Sequence, residues 1–149
     1  EEVAALPLPP SGQKLVVLDL CSGFGYLAMF LSELLPPDKV EKIVLVDIKW
    51  PPHGVTPQAH HLSDAHLLAP GWPIRLTTSR ADLKCSSDRR NLARTFLSDG
   101  APAILLGVHL CGALSLRAVE LWNGAPTPPP RALTDYSVVG TGLPSISLP

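Results

Sequence analysis

A chain of 149 residues with a 46% hydrophobic fraction has material for one packed core and is too apolar for a disordered segment. Twelve Lys and Arg against thirteen Asp and Glu leave a net charge of -1, which excludes a bulk basic field that would gather nucleic acid on charge alone. The three cysteines (21, 85 and 111) have no paired spacing, no run reaches the roughly 20 apolar residues of a membrane span, and an acidic start is no secretory signal; the expectation is a reducing, cytoplasmic or nuclear setting without a membrane.

The 17 prolines gather near the start, the middle and the end, and they divide the chain. Residues 1–13, with Leu6-Pro7-Leu8-Pro9-Pro10, read as an extended lead-in, residues 14–123 as one domain, and residues 124–149 as a Pro-rich irregular segment. The domain opens on Leu15-Val16-Val17-Leu18-Asp19-Leu20, an apolar run without Gly or Pro that suits a strand buried on both faces of a parallel sheet. It closes on an acid and passes through Cys21-Ser22-Gly23-Phe24-Gly25. Apolar residues then recur at helical spacing: Phe24, Leu27, Ala28, Leu31, Leu34 and Leu35 form the expected core stripe, and Pro36-Pro37 stops the helix. Strand, glycine turn and helix together place free N–H groups over the strand's end, where a nucleotide-like ligand fits.

The second strand, Lys42 to Asp47, again ends on an acid. Asp47 lies 22 residues beyond Gly25, the distance at which nucleotide-binding βαβ units hold ribose hydroxyls with a carboxylate. Trp50, three residues later, either flanks an adenine ring or anchors the core. A short surface helix is expected from about Thr56 to Leu68, with Pro57 in its first turn. His60, His61, Asp64 and His66 cluster in it, but no partner set elsewhere completes a metal site, so no metal is expected. A third strand is expected over Pro73–Thr78, followed by Asp82. The next helix spans Asp88 to Leu97, capped by Ser86 or Ser87, with Arg89, Arg90 and Arg94 as a solvated face or, more sharply, an RNA contact. A fourth strand, Ala103 to His109, ends on an imidazole and turns through Leu110-Cys111-Gly112 into a helix carrying Leu114, Ala118, Val119, Leu121 and Trp122. Tyr136–Gly140 is a candidate fifth strand. Asp19, Asp47, Asp82 and His109 thus fall on one sheet edge, where open α/β sheets bind ligands.

Read against the dinucleotide fingerprint, positions 21 and 26 lack the required glycines, which disfavours an NAD-linked oxidoreductase. Asp19-x-Cys21-x-Gly23-x-Gly25 instead resembles motif I of the class I S-adenosylmethionine (SAM) methyltransferases, with Cys21 in the first glycine slot. Joined to Val44-Leu45-Val46-Asp47 and His109-Leu110-Cys111-Gly112-Ala113-Leu114-Ser115, it is similar to the group of that family whose fourth strand ends His-Leu-Cys-Gly, which includes tRNA 2′-O-methyltransferases and methyltransferase-like proteins. The resemblance covers about residues 14–123. It implies a Rossmann-like three-layer α/β domain with a mostly parallel sheet, four to five of the family's usual seven strands being present, so that the chain reads as truncated at its C-terminal end. It implies SAM as cofactor, with Asp19, Cys21, Gly23 and Gly25 at the methionine end, Asp47 on the ribose and Asp82 on the adenine. His109 and Cys111 would border the methyl-transfer site. The implied substrate is RNA, tRNA first. The alternatives are a protein side chain, or a remnant that binds SAM and transfers nothing.

Overall fold

The apolar runs of the sequence become the middle layer of the structure. A computed structural model describes residues 12–67, 71–97 and 102–124. In chain order they form β1 (Leu15–Leu20), α1 (Tyr26–Leu34), β2 (Val40–Asp47), β3 (Arg75–Arg80), α2 (Ser86–Phe96), β4 (Ala103–Leu106) and α3 (Leu114–Asn123). The four strands make one sheet in the order β3-β2-β1-β4, and every pairing is parallel. The chain therefore winds outward from β1 to β3, then returns to β4 on the opposite side of β1. In open parallel sheets ligands bind beside such a reversal, which here falls between β1 and β4. The lead-in before residue 12, the tail from 125 and the candidate strand at 136–140 lie outside the described residues.

Alternation along the strands separates two cores. Val16, Leu18 and Leu20 of β1 join Val44 and Val46 of β2, and α2 and α3 cover them with Leu92, Ala93 and Leu121. On the other face Val17, Ile43 and Leu45 meet Ala28 of α1, Trp50, Leu62, Leu67 and Ile74. The sheet is thus covered on both sides, which is why its central strands tolerate an almost unbroken apolar sequence.

Several expectations need correction. No helix forms among the described residues between Thr56 and Leu67; the stretch consists of irregular backbone with short turns. Its polar side chains capture backbone groups that a helix would use: His61 Nδ1 accepts from the Gln58 N–H at 3.1 Å and Ser63 Oγ from the Ala65 N–H at 3.4 Å. The Leu62 N–H reaches back to the Lys49 carbonyl at 2.8 Å, and Leu62 and Leu67 still seal the core from this irregular path. On α1 the buried residues are Ala28 and Ser32, while Phe24 and Leu34 of the expected stripe are exposed. Ser32 is buried because its hydroxyl both donates to the Ile74 carbonyl and accepts the Ile74 N–H, at 2.9 and 3.1 Å. On α3 only Leu121 is fully buried, with Leu114 and Ala118 beside it; Val119 and Trp122 face outward.

The two sheet borders differ in kind. β3 reads Arg-Leu-Thr-Thr-Ser-Arg, polar and flanked by guanidinium groups, whereas β4 reads Ala-Ile-Leu-Leu and has exposed Val108, Leu116, Val119 and Trp122 in the segments that follow it. Helix α2 begins at Ser86, with Cys85 as its cap residue, not at Asp88. Asp88 instead turns its carboxylate back to accept the Asp82 N–H at 2.8 Å.

Candidate functional site

The site begins where β1 runs out of apolar residues. Asp19 stands on the same face as Val17, in register with Leu45, and only 2% of it is exposed. Its Oδ2 has no hydrogen-bond partner. Burial, and then the neighbouring Asp47 carboxylate, push its pKa from 3.8 up to about 6. A buried carboxylate without a compensating donor is costly, and the acid beside it adds to that cost. At neutral pH this spot calls for a cation.

The turn after β1 is built for close approach. Cys21 has φ 58, a left-handed conformation that non-glycine residues seldom adopt, so the first glycine slot of the motif is a backbone position a glycine would suit. Gly25 has φ 81, and a Cβ added there would lie 2.1 Å from Leu45 Cδ2, which leaves no room for another residue without repacking. Gly25 is also the N-cap of α1, with no side chain capping the helix, so the first N–H groups of α1 are left to an outside acceptor. We expect Cys21→Gly to keep unfolding free energy within about 1 kcal/mol of the parent, while Cys21→Val loses roughly 2 kcal/mol, because a β-branched side chain fits the left-handed region worst. Urea unfolding of both variants measures the difference; equal losses would show that the backbone there is unconstrained.

Asp47, at the tip of β2, holds this turn in place. Its Oδ2 accepts the Gly23 N–H at 3.0 Å and its Oδ1 the Lys49 N–H at 2.9 Å. Each oxygen keeps a lone pair, so the carboxylate can still accept from a hydroxyl. The Ser22 N–H donates to the Val46 carbonyl at 3.1 Å, and His66 Nε2 lies 2.7 Å from the Phe24 carbonyl.

Four of the sequence-derived site residues gather around the fifth, Cys21. Its thiol pKa is raised by burial first and then, in order, by the charges of Asp47, Asp19 and Asp82 and by the Cys111 thiol. Side chains from β1 and β2 and from the loops after β3 and β4 thus lie near one another. His109 stands apart: β4 ends at Leu106, three residues before it, and the imidazole is exposed on the following turn, where its carbonyl accepts the Cys111 N–H at 3.1 Å. Cys111 is itself exposed.

Beside Asp47 lies an open depression of about 500 Å³, lined by Ile48, Pro52, His53, Ser79, Arg80, Asp82 and Asp88. That volume is in the range of small-molecule sites. The sequence reading missed Ile48 here. The signal was present, since an apolar residue directly after a strand-ending acid leaves the sheet beside whatever the acid holds. Trp50, by contrast, is fully buried in the core, and its Nε1 donates to Ser22 Oγ at 3.2 Å, so it anchors the turn and flanks no ligand.

No family model, curated protein or solved structure matches the chain. No group of three or more His, Cys, Asp and Glu side chains among the described residues is arranged to hold a metal ion. No described helix is long and apolar enough to cross a membrane. Two of the three arginines of α2 are engaged structurally: Arg89 donates to the Leu83 carbonyl at 2.6 Å and pairs with Glu120 of α3 at 3.0 Å, and Arg94 donates to Asn91 at 2.9 Å, while Arg90 is exposed.

Proposed function

We propose that the chain is the SAM-binding part of a methyltransferase, with a Rossmann-like sheet carrying the ligand above the tips of β1, β2 and β3. The observation that carries this reading is Asp19, a buried carboxylate with an unpartnered oxygen beside a second carboxylate and under an uncapped helix start. SAM matches this arrangement at both ends of its methionine portion. Its ammonium and sulfonium are cationic and suit Asp19, while its carboxylate suits the open N–H groups at the start of α1. A dinucleotide would bring a pyrophosphate into the same acidic surroundings, which repel it. Asp47 takes the ribose with the lone pairs its backbone donors leave, and Asp82 takes the adenine amino group over the depression bordered by Ile48. Cys21, Gly23 and Gly25 shape the turn against which the methionine portion rests.

Bound there, SAM supplies a methyl group on a sulfonium, an intrinsically activated donor. The chain's contribution is then to position the donor and exclude water. His109 and Cys111, on the turn after β4, face the acceptor's side; the imidazole serves as base or orients the nucleophile. RNA is the acceptor that the sequence resemblance suggests. A protein side chain is the second reading; the pairing of Arg89 with Glu120 takes one of the three guanidinium groups of α2 out of service as a phosphate contact.

Calorimetric titration of the chain with SAM and, separately, with NAD tests the reading. Heat with SAM and none with NAD is the expected result; no heat with SAM overturns it. Transfer of labelled methyl from SAM to total RNA or to protein extract then separates the two acceptors, and binding without transfer to either identifies a SAM-binding remnant.

A further inference from the structure

The histidine-rich stretch after β2 forms no metal-holding group among the described residues, and the site above the strand tips leaves most of it unused. His66 serves the turn after β1, its Nε2 lying 2.7 Å from the Phe24 carbonyl. His60 and His61 stand together, with ring centroids 4.2 Å apart. His61 Nδ1 accepts the Gln58 N–H at 3.1 Å, so its ring proton sits on Nε2 as a donor. Desolvation, followed by the charges of His60 and Arg80, lowers the His61 pKa from its ordinary 6.5. Two imidazoles and a guanidinium are therefore near enough to repel one another when charged. Among the described residues no carboxylate forms an ion pair with any of the three.

We propose that His60, His61 and Arg80 form a binding patch for a phosphomonoester beside the depression after β2. The proposal is independent of the SAM reading. Arg80 anchors it: exposed at the end of β3, it donates from Nε to the Ile48 carbonyl at 3.2 Å and lines the depression with Ile48 and His53. That bond uses one guanidinium nitrogen, and the two terminal ones remain a fork for oxyanions.

Charge argues for an anion, because like charges held close by the fold are relieved when one binds. Shape argues for phosphate. Three side chains supply donors, and a phosphomonoester offers three free oxygens where a carboxylate offers two in one plane. Its second proton leaves at about pH 6, so near neutral pH it meets the patch largely as a dianion. Asp82 and Asp88 share the depression with Arg80 and compete for its charge. Both already accept backbone N–H groups, Asp82 from Lys84 at 2.9 Å and Asp88 from Asp82 at 2.8 Å. His53, on the same wall, adds a third imidazole to the positive side of the balance.

The test follows the histidine ring nitrogens of the full chain by nuclear magnetic resonance while inorganic phosphate is added at constant ionic strength. The expected result is a saturable shift of His60 and His61 together, with His66 unmoved and the His60 midpoint raised by about half a pH unit or more. Arg80→Met should weaken phosphate binding about tenfold and Arg80→Lys restore part of it. An unchanged His66 resonance reports that the segment keeps its fold in both. His60→Gln, at an exposed position, should weaken binding severalfold and leaves the Arg80 anchor in place. A response no larger than acetate gives, or one indifferent to both Arg80→Met and His60→Gln, overturns the proposal. A sugar phosphate and oligouridylate with and without a terminal phosphate then name the carrier. Tighter binding of the phosphorylated strand supports a strand end, and equal binding of strand and sugar supports a small metabolite. Oligouridylate that binds as well without its terminal phosphate overturns the monoester assignment.

Discussion

Asp19→Asn should make the chain more stable at pH 7 and weaken SAM binding by about two orders of magnitude or more. The folded state holds the Asp19 proton up to about pH 6, against 3.8 for the ordinary group. A group whose folded pKa is raised binds protons more tightly in the native state, so stability falls as pH rises from about 3.8 to about 6 and stays low above it. The shift corresponds to roughly 2–3 kcal/mol lost between the acid and neutral ends of that window. Asparagine keeps the shape and carries no charge to desolvate. The variant should therefore gain roughly 2 kcal/mol at pH 7, a rise of about 5–10 °C in midpoint, and lose the downward slope between pH 4 and 6. The amide also presents donors to Asp47, which the carboxylate cannot. Its cost falls on function: a neutral amide leaves the ligand's ammonium without a counter-charge, and affinity should drop about 100-fold or more. Thermal melts across pH 4–7 and calorimetry with SAM read both effects. A variant destabilised at pH 7, or one that binds SAM as the parent does, removes Asp19 from the role assigned to it.

Asp47→Ala should damage fold and site together. Its carboxylate accepts two backbone N–H groups, from Gly23 and Lys49, and the bond to Gly23 is partly buried. Hydrogen bonds to charged groups are worth about 1.5–3 kcal/mol each when lost, so a stability loss of about 3 kcal/mol is expected. SAM affinity should fall by about 1–3 kcal/mol, roughly 5- to 150-fold, from the missing ribose acceptor and the loosened turn. Asp47→Asn separates the two. It keeps an acceptor for one of the N–H groups and so retains most of the stability, while the weaker, neutral acceptor lowers affinity. Urea unfolding alongside calorimetry makes the comparison; unchanged SAM binding in the Asn variant would confine Asp47 to holding the turn.

What the sequence made legible was whatever one element decides by itself. The strands at 15–20, 40–47 and 103–106 are short apolar runs bounded by turns, and the acids that end the first two are forced to the sheet's edge by the strand's own length. What escaped depends on partners far away in the chain. The stretch after Asp47 has helix-compatible composition, yet the Lys49 carbonyl takes the Leu62 N–H and the Phe24 carbonyl meets His66, contacts set by the neighbouring turn and not by periodicity. Trp50 could be read two ways until its indole N–H was seen to end on Ser22, 28 residues earlier. Helix α1 misled for the opposite reason: it is apolar all round, so spacing could not say which side faces the sheet.

The unlike borders of the sheet give the molecule a direction in which it can stick to itself. Arginines at both ends of β3 make pairing there electrostatically unwelcome, since a second copy would set guanidinium against guanidinium. Among the described residues β4 has no such guard, and the side chains in the segments that follow it are greasy. Concentrated samples should clump through that flank first, and a lysine planted in it would be the economical cure.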